Sequence, residues 1–124
     1  YLKHNEARNF AIVDAAMNDL LRPALYEAWH GLRALRPRGG DATEYDIVGP
    51  VCESADWLAR QRVLALEQGD VLALESAGAY GMTMAGNYNP RPRAAEVMVD
   101  GDHYHVVRQR ETLDDLLRGE STLP

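Results

Sequence analysis

Glu96-Val97-Met98-Val99, then Asp100-Gly101, then Asp102 to Val107, is the stretch that decides the fold class. Two strand-like runs joined by Asp-Gly predict a β-hairpin with a type I′ turn. After it, Thr112 with Asp114-Asp115 in the first turn and Leu113, Leu116 and Leu117 as an apolar stripe predicts a short capped terminal helix. Before it, Ser76 to Asn89 is rich in Gly, Ala and Met and carries Tyr80 and Tyr88; small residues there let the backbone approach something closely. The same strand logic extends upstream. Val71-Leu72-Ala73-Leu74 follows the turn Gln68-Gly69-Asp70, and Thr43 to Val51 carries Tyr45, Ile47 and Val48 before Gly49-Pro50 ends it. Leu32 to Leu35 and Phe10 to Asp14 read as further strands, with Tyr1 to Asn9 as a hairpin partner for the latter, and Arg36 to Asp41 reads as a Pro/Gly loop. Asp56 to Leu66 places Trp57, Leu58, Val63 and Leu64 among arginines and reads as a short helix or an irregular covered segment. Asn18-Asp19 before Leu20-Leu21 and Pro23 predicts a capped helix of one or two turns. Five or six short strands and brief helices predict a mainly β domain, a sandwich or Greek-key barrel-like fold whose loops carry any function.

The 124 residues amount to one domain, and 46% hydrophobic with 26% charged residues describes a globular chain. Nineteen acids against thirteen bases leave a net charge of -6, which argues against a nucleic-acid surface. No stretch is apolar enough to span a bilayer, and no signal peptide is legible. Cys52 is the only cysteine, so no disulfide forms within the chain, and a reducing cytoplasm is expected. Lys3 is the only lysine, so chemistry that needs a lysine uses Lys3 or a lysine outside these residues. The chain opens on Tyr1 with no initiator Met, which leads us to expect a piece of a longer protein.

Several residues have side chains suited to chemistry. Cys52-Glu53 follows Gly49-Pro50 at a strand end, where a thiol and a carboxylate can be delivered rigidly; the plainer reading is a half-buried Cys beside a solvated Glu. Arg22 and Tyr26, four apart on a helical turn, share a face and can jointly grip a carboxylate, or merely stack. Tyr80 in Ala77-Gly78-Ala79-Tyr80-Gly81 can donate to a phosphate or serve a tight turn. His103 and His105 alternate on one strand but lack a third ligand, so no metal is expected. Arg91-Pro92-Arg93 reads as a solvated patch or one paired with acids.

In order and spacing, four stretches resemble the diaminopimelate decarboxylase family over nearly the whole chain. They are Asp14 to Tyr26, Gly49-Pro50-Val51-Cys52-Glu53-Ser54, Ser76-Ala77-Gly78-Ala79-Tyr80-Gly81, and Asn87-Tyr88-Asn89 with Arg91-Pro92-Arg93-Ala94-Ala95-Glu96. The resemblance implies the C-terminal β domain of a pyridoxal 5'-phosphate enzyme of the alanine racemase-like type. An N-terminal barrel would carry the cofactor-binding lysine, and a homodimer would share its active sites. The reaction implied is decarboxylation of meso-2,6-diaminopimelate to L-lysine, the last step of lysine biosynthesis. By the resemblance, Arg22 and Tyr26 hold a substrate carboxylate. Cys52 lies near the reacting carbon, and Glu53 binds the distal amine across the dimer interface. Tyr80 contacts substrate and cofactor phosphate. Ala55 departs from the family's usual Gly after Cys-Glu-Ser, and Glu53 separates the chain from ornithine decarboxylases, which resemble it but tend to have Asp there.

Three expectations follow. The 124 residues alone neither hold the cofactor covalently nor decarboxylate, and the face bearing Cys52 and Tyr80 is left unusually exposed. The alternatives are an ornithine- or arginine-type decarboxylase domain of the same fold type, or a free-standing β binding module.

Overall fold

A computed structural model describes residues 1–123. In chain order it contains β1 (Leu2–His4), β2 (Asn9–Ile12), α1 (Arg22–Tyr26), β3 (Leu32–Ala34), β4 (Thr43–Val48), β5 (Trp57–Leu64), β6 (Leu72–Leu74), α2 (Gly81–Met84), β7 (Glu96–Asp100), β8 (His103–Arg108) and α3 (Leu113–Leu116). The mainly β class holds. Strands β1-β2-β4-β5 form one sheet, β3-β6 a second and β7-β8 a third, and they do not close into a barrel. Within the first sheet β2 and β4 run parallel, so the chain between them crosses over through α1 and β3.

The core is small. Ala11, Leu20, Tyr45, Ile47, Leu58 and Ala59 are buried together, and Leu32, Leu72 and Leu74 of the second sheet pack against them. Two sheets therefore share one core, as in a sandwich. In β4, Tyr45 and Ile47 point inward while Glu44 and Val48 do not, the period of two expected of a strand with one covered face.

The segment read as a helix or irregular stretch is in fact β5, the longest strand. Two bulges hide its period. Tyr45 pairs with Arg62 and Ile47 with Ala59, so Arg60 and Gln61 together oppose Asp46; Val48 then pairs with Trp57, leaving Leu58 as a second extra residue. Each insertion shifts the inward face by one residue, which is how Leu58 and Ala59 come to be buried side by side. Gln61 takes a positive φ of 53°, and its N–H donates to the Asp46 carboxylate at 2.9 Å.

The decisive hairpin forms, but with a different turn and a different role. Asp100 pairs with His103, so Gly101-Asp102 occupy the centre, and only Gly101 has positive φ, at 60°. That is the pattern of a II′ turn, not the expected I′. Nearly every residue of β7 and β8 is exposed, so the hairpin projects from the core instead of building it. Its base is tied down by Glu111, whose carboxylate accepts from the Arg93 guanidinium and backbone N–H, both at 2.8 Å, and from Asn87 at 2.7 Å. Arg93 is thus paired with an acid, as one reading of the basic patch held. Asn18 and Asp19 do not cap α1: its N-cap is Leu21 without a side-chain bond, and Asp19 instead accepts from the Ala16 N–H at 2.9 Å. The terminal helix has the predicted Thr112 cap, completed as a capping box by Asp115, yet Leu113 and Leu117 face solvent, so its apolar stripe is not buried here.

Arg38 grips Asp70 through Nε and Nη2 at 2.8–3.0 Å, and the Glu67 N–H adds a bond at 2.8 Å, closing the 36–41 loop onto the 67–70 turn. These bonds, Arg38 first and the Glu67 N–H second, hold the Asp70 carboxyl down to about 2 from an ordinary 3.8. A carboxyl depressed on folding contributes stability above its unfolded pKa and loses it as pH falls through the folded one. Asp70→Asn is therefore expected to lower the urea midpoint at about pH 5, with the difference shrinking toward about pH 2. A constant difference across that range would contradict the assignment.

Candidate functional site

The loop joining β4 to β5 is built around one buried carboxylate. Asp56, 5% exposed, accepts from the Met17 N–H through Oδ1 at 2.7 Å and from the Val51 N–H through Oδ2 at 2.9 Å. Its backbone C=O accepts from the Gly49 N–H at 3.1 Å, and its N–H donates to Glu53 C=O at 3.0 Å. One side chain thereby fixes the 50–56 loop to the segment before α1. Gly49 is required by close approach, since a Cβ there would lie 2.4 Å from Asp56 Oδ2. Ala55, the departure from the expected Gly, is not among the residues of positive φ, so the turn tolerates a side chain there.

The loop presents Cys52 and Glu53 outward, both exposed. The half-buried thiol of the plainer reading is not what forms. Glu53 has partners: Oε2 accepts from the Tyr88 hydroxyl at 3.1 Å, and Oε1 takes a long bond from the Ala55 N–H at 3.4 Å. The hydrogen bond to Glu53, reinforced by its negative charge, raises the Tyr88 phenol above its ordinary pKa.

A second group forms on α1 and the 76–81 segment. Pro23 starts the helix and is buried, and Glu27 ends it at φ 54°. Arg22 and Tyr26 bracket this single turn and do share a face. The Arg22 guanidinium carbon lies 5.6 Å from the Tyr26 ring centre and 4.9 Å from that of Tyr80. Stacking leaves the guanidinium edge free for an anion, and no ion pair occupies it among the described residues. Arg22 and Tyr80 line a concavity of about 290 Å³ together with Trp29, His30, Ser76 and Ala77. Tyr80 is 55% exposed, and added Cβ atoms at Gly78 and Gly81 would meet nothing, so the space around its hydroxyl is open.

No hydrogen bond or ion pair joins the Arg22–Tyr26–Tyr80 group to the Cys52–Glu53–Tyr88 group among the described residues. Sequence reasoning missed three members of these surroundings. Asp56 and Tyr88 act through contacts 39 and 35 residues away in the chain. His30 is buried at 6% exposure. Its Nδ1 lies 3.1 Å from the Glu75 C=O, which makes Nδ1 the donor, and its Nε2 has no partner among the described residues. His103 sits 2.7 Å from Asp102 at the hairpin tip.

Residues 1–78 match the model of the pyridoxal-dependent decarboxylase C-terminal sheet domain, the family shared by ornithine, diaminopimelate and arginine decarboxylases. The chain belongs to this family. It is similar along its whole length to diaminopimelate decarboxylases, at 61% identity to that of Vibrio cholerae and 63% to that of Pseudomonas fluorescens. The diaminopimelate decarboxylase of M. jannaschii, solved with L-lysine, superposes on the whole chain with a TM-score of 0.95 at 38% identity. The chain spans about 30% of the length of these curated relatives and 29% of the M. jannaschii chain. No helix among the described residues is long and apolar enough to cross a membrane.

Proposed function

We propose that this domain is the C-terminal part of a diaminopimelate decarboxylase, which with pyridoxal phosphate converts meso-2,6-diaminopimelate to L-lysine and carbon dioxide. The observation that carries the reading is a pair of opposite grips with no hydrogen bond or ion pair joining them among the described residues: an unpaired guanidinium against two tyrosine rings, and an exposed carboxylate on a braced loop. A substrate with an ammonium and a carboxylate at each end fits such a pair. The name shared by the relatives and the L-lysine in the M. jannaschii structure support the same substrate class.

Arg22, with Tyr26 beside it, takes a substrate carboxylate, and Glu53 takes the distal ammonium. Cys52 holds the proton that replaces the departing carboxylate at the reacting carbon. Tyr80, its hydroxyl facing open space, donates to the cofactor phosphate. The cofactor's ring serves as the electron sink for decarboxylation, so the protein's task is to orient the bond that breaks. Lys3 lies on the short edge strand β1, and the cofactor-bearing lysine belongs to an N-terminal barrel outside these residues. A homodimer in which each loop carrying Cys52 and Glu53 serves the partner's site goes with this reading, and the outward exposure of that loop supports it. The exposed apolar faces of β7 and β8 are then covered by the barrel or the second subunit. A cytoplasmic location goes with this reading.

The full-length protein supplied with pyridoxal phosphate is expected to release carbon dioxide from meso-diaminopimelate and accumulate lysine, with ornithine and arginine turned over at least about a hundredfold less efficiently. Preferential turnover of ornithine would overturn the assignment. Residues 1–124 alone are expected to show neither activity nor a protein-bound cofactor absorbance.

A further inference from the structure

Glu53 stands on an exposed loop, and a free glutamate side chain loses rotational freedom whenever it is held to a ligand. Here that freedom is already restricted by Tyr88, which approaches from a different part of the fold. The segment carrying Tyr88 is anchored on both sides. The Gly86 N–H donates to Asn18 C=O at 2.9 Å, and Asn18 Nδ2 donates back to Gly86 C=O at 3.3 Å. Asn87 Nδ2 donates to Arg91 C=O at 3.0 Å and to Glu111 at 2.7 Å, while Arg91 Nε donates to Asn18 Oδ1 at 3.0 Å. From this base the Tyr88 hydroxyl reaches Glu53 Oε2 at 3.1 Å.

The chemistry of the donor matters. An arginine or lysine in that place would neutralise Glu53 and compete with an incoming ammonium, whereas a phenol orients the carboxylate and leaves its charge intact. The raised phenol pKa keeps the proton on Tyr88 across the neutral range, so it remains a donor. Only one carboxylate oxygen is used strongly; Oε1 has just the 3.4 Å bond from Ala55 and keeps accepting capacity for a ligand.

We propose that Tyr88 is the positioning residue for Glu53, aiming its carboxylate at the distal ammonium and thereby setting the preference for a substrate charged at both ends. The inference rests on the diaminopimelate reading. Its test uses the full-length holoenzyme, with meso-diaminopimelate as the probe. Tyr88→Phe removes one hydroxyl and keeps the ring. It is expected to raise KM about tenfold with kcat within about twofold, and to leave the thermal midpoint and bound cofactor content unchanged. In a Glu53→Gln background the same substitution is expected to add no further rise in KM, because the two residues act as one unit.

An unchanged KM in Tyr88→Phe overturns the proposal, as do effects that multiply independently with Glu53→Gln. A fall in cofactor content or thermal midpoint that accounts for the loss makes Tyr88 a structural residue and also overturns it. A parent enzyme inactive on meso-diaminopimelate overturns the substrate reading instead, so the two failures are told apart by the parent alone.

Discussion

Replacing Asp56 by alanine is expected to destabilise the chain by about 3–5 kcal/mol, because it removes two charge-assisted hydrogen bonds and strands the Met17 and Val51 N–H groups in a covered place. Both losses arise from one side chain, so the 50–56 loop should come free of the 14–17 segment as a unit. Asp56→Asn keeps one acceptor oxygen and is expected to cost about half as much. Gly49→Ala tests the same contact from the other side. Its Cβ would sit 2.4 Å from a carboxylate oxygen that cannot retreat without giving up the Val51 bond, and a cost of about 2–3 kcal/mol is expected. Urea unfolding of each variant checks this; an Asp56→Ala midpoint equal to the parent's would show that the loop is held by something else.

The second large effect is on activity. Cys52 is exposed and takes no part in the core, so Cys52→Ala should change stability by no more than about 0.5 kcal/mol. In the full-length enzyme the same substitution is expected to lower kcat by about 10²–10⁴, the usual worth of a positioned proton donor, with KM nearly unchanged. The split distinguishes it from Glu53→Gln, which should act mainly on KM. A Cys52→Ala enzyme with parental kcat would remove the thiol from the reaction.

How far the molecule could be read from its residues differs from element to element, for physical reasons. Strand β4 was legible because Tyr45 and Ile47 keep a strict period of two, and β6 because its apolar run is short and bounded by a turn. Strand β5 was not, because two bulges break its period, and a bulge is set by pairing with β4 and not by local propensity. The β7–β8 hairpin announced itself through Asp100-Gly101, but nothing local says that its apolar side chains would find no cover within these residues. Among the candidate site residues, Arg22 with Tyr26 was readable from helical spacing, and Cys52-Glu53 from its place after a strand end. The brace under the loop was not. Asp56 looks like any acid at the start of a segment, and only folding brings it beneath Met17. Tyr88 likewise sits in a motif without a visible partner until the 85–95 segment is tied to Asn18.

The central claim is that the loop of Cys52 and Glu53 completes a site in the partner subunit. It is tested most directly by mixing two full-length variants, each nearly inactive alone: Cys52→Ala, and one lacking the lysine proposed to bear the cofactor. If the sites are shared, random exchange gives half the dimers as hybrids with one intact site in two, and activity should return to about one quarter of the parent's. A mixture shown by differential tagging to have exchanged subunits, yet still inactive, would contradict the account.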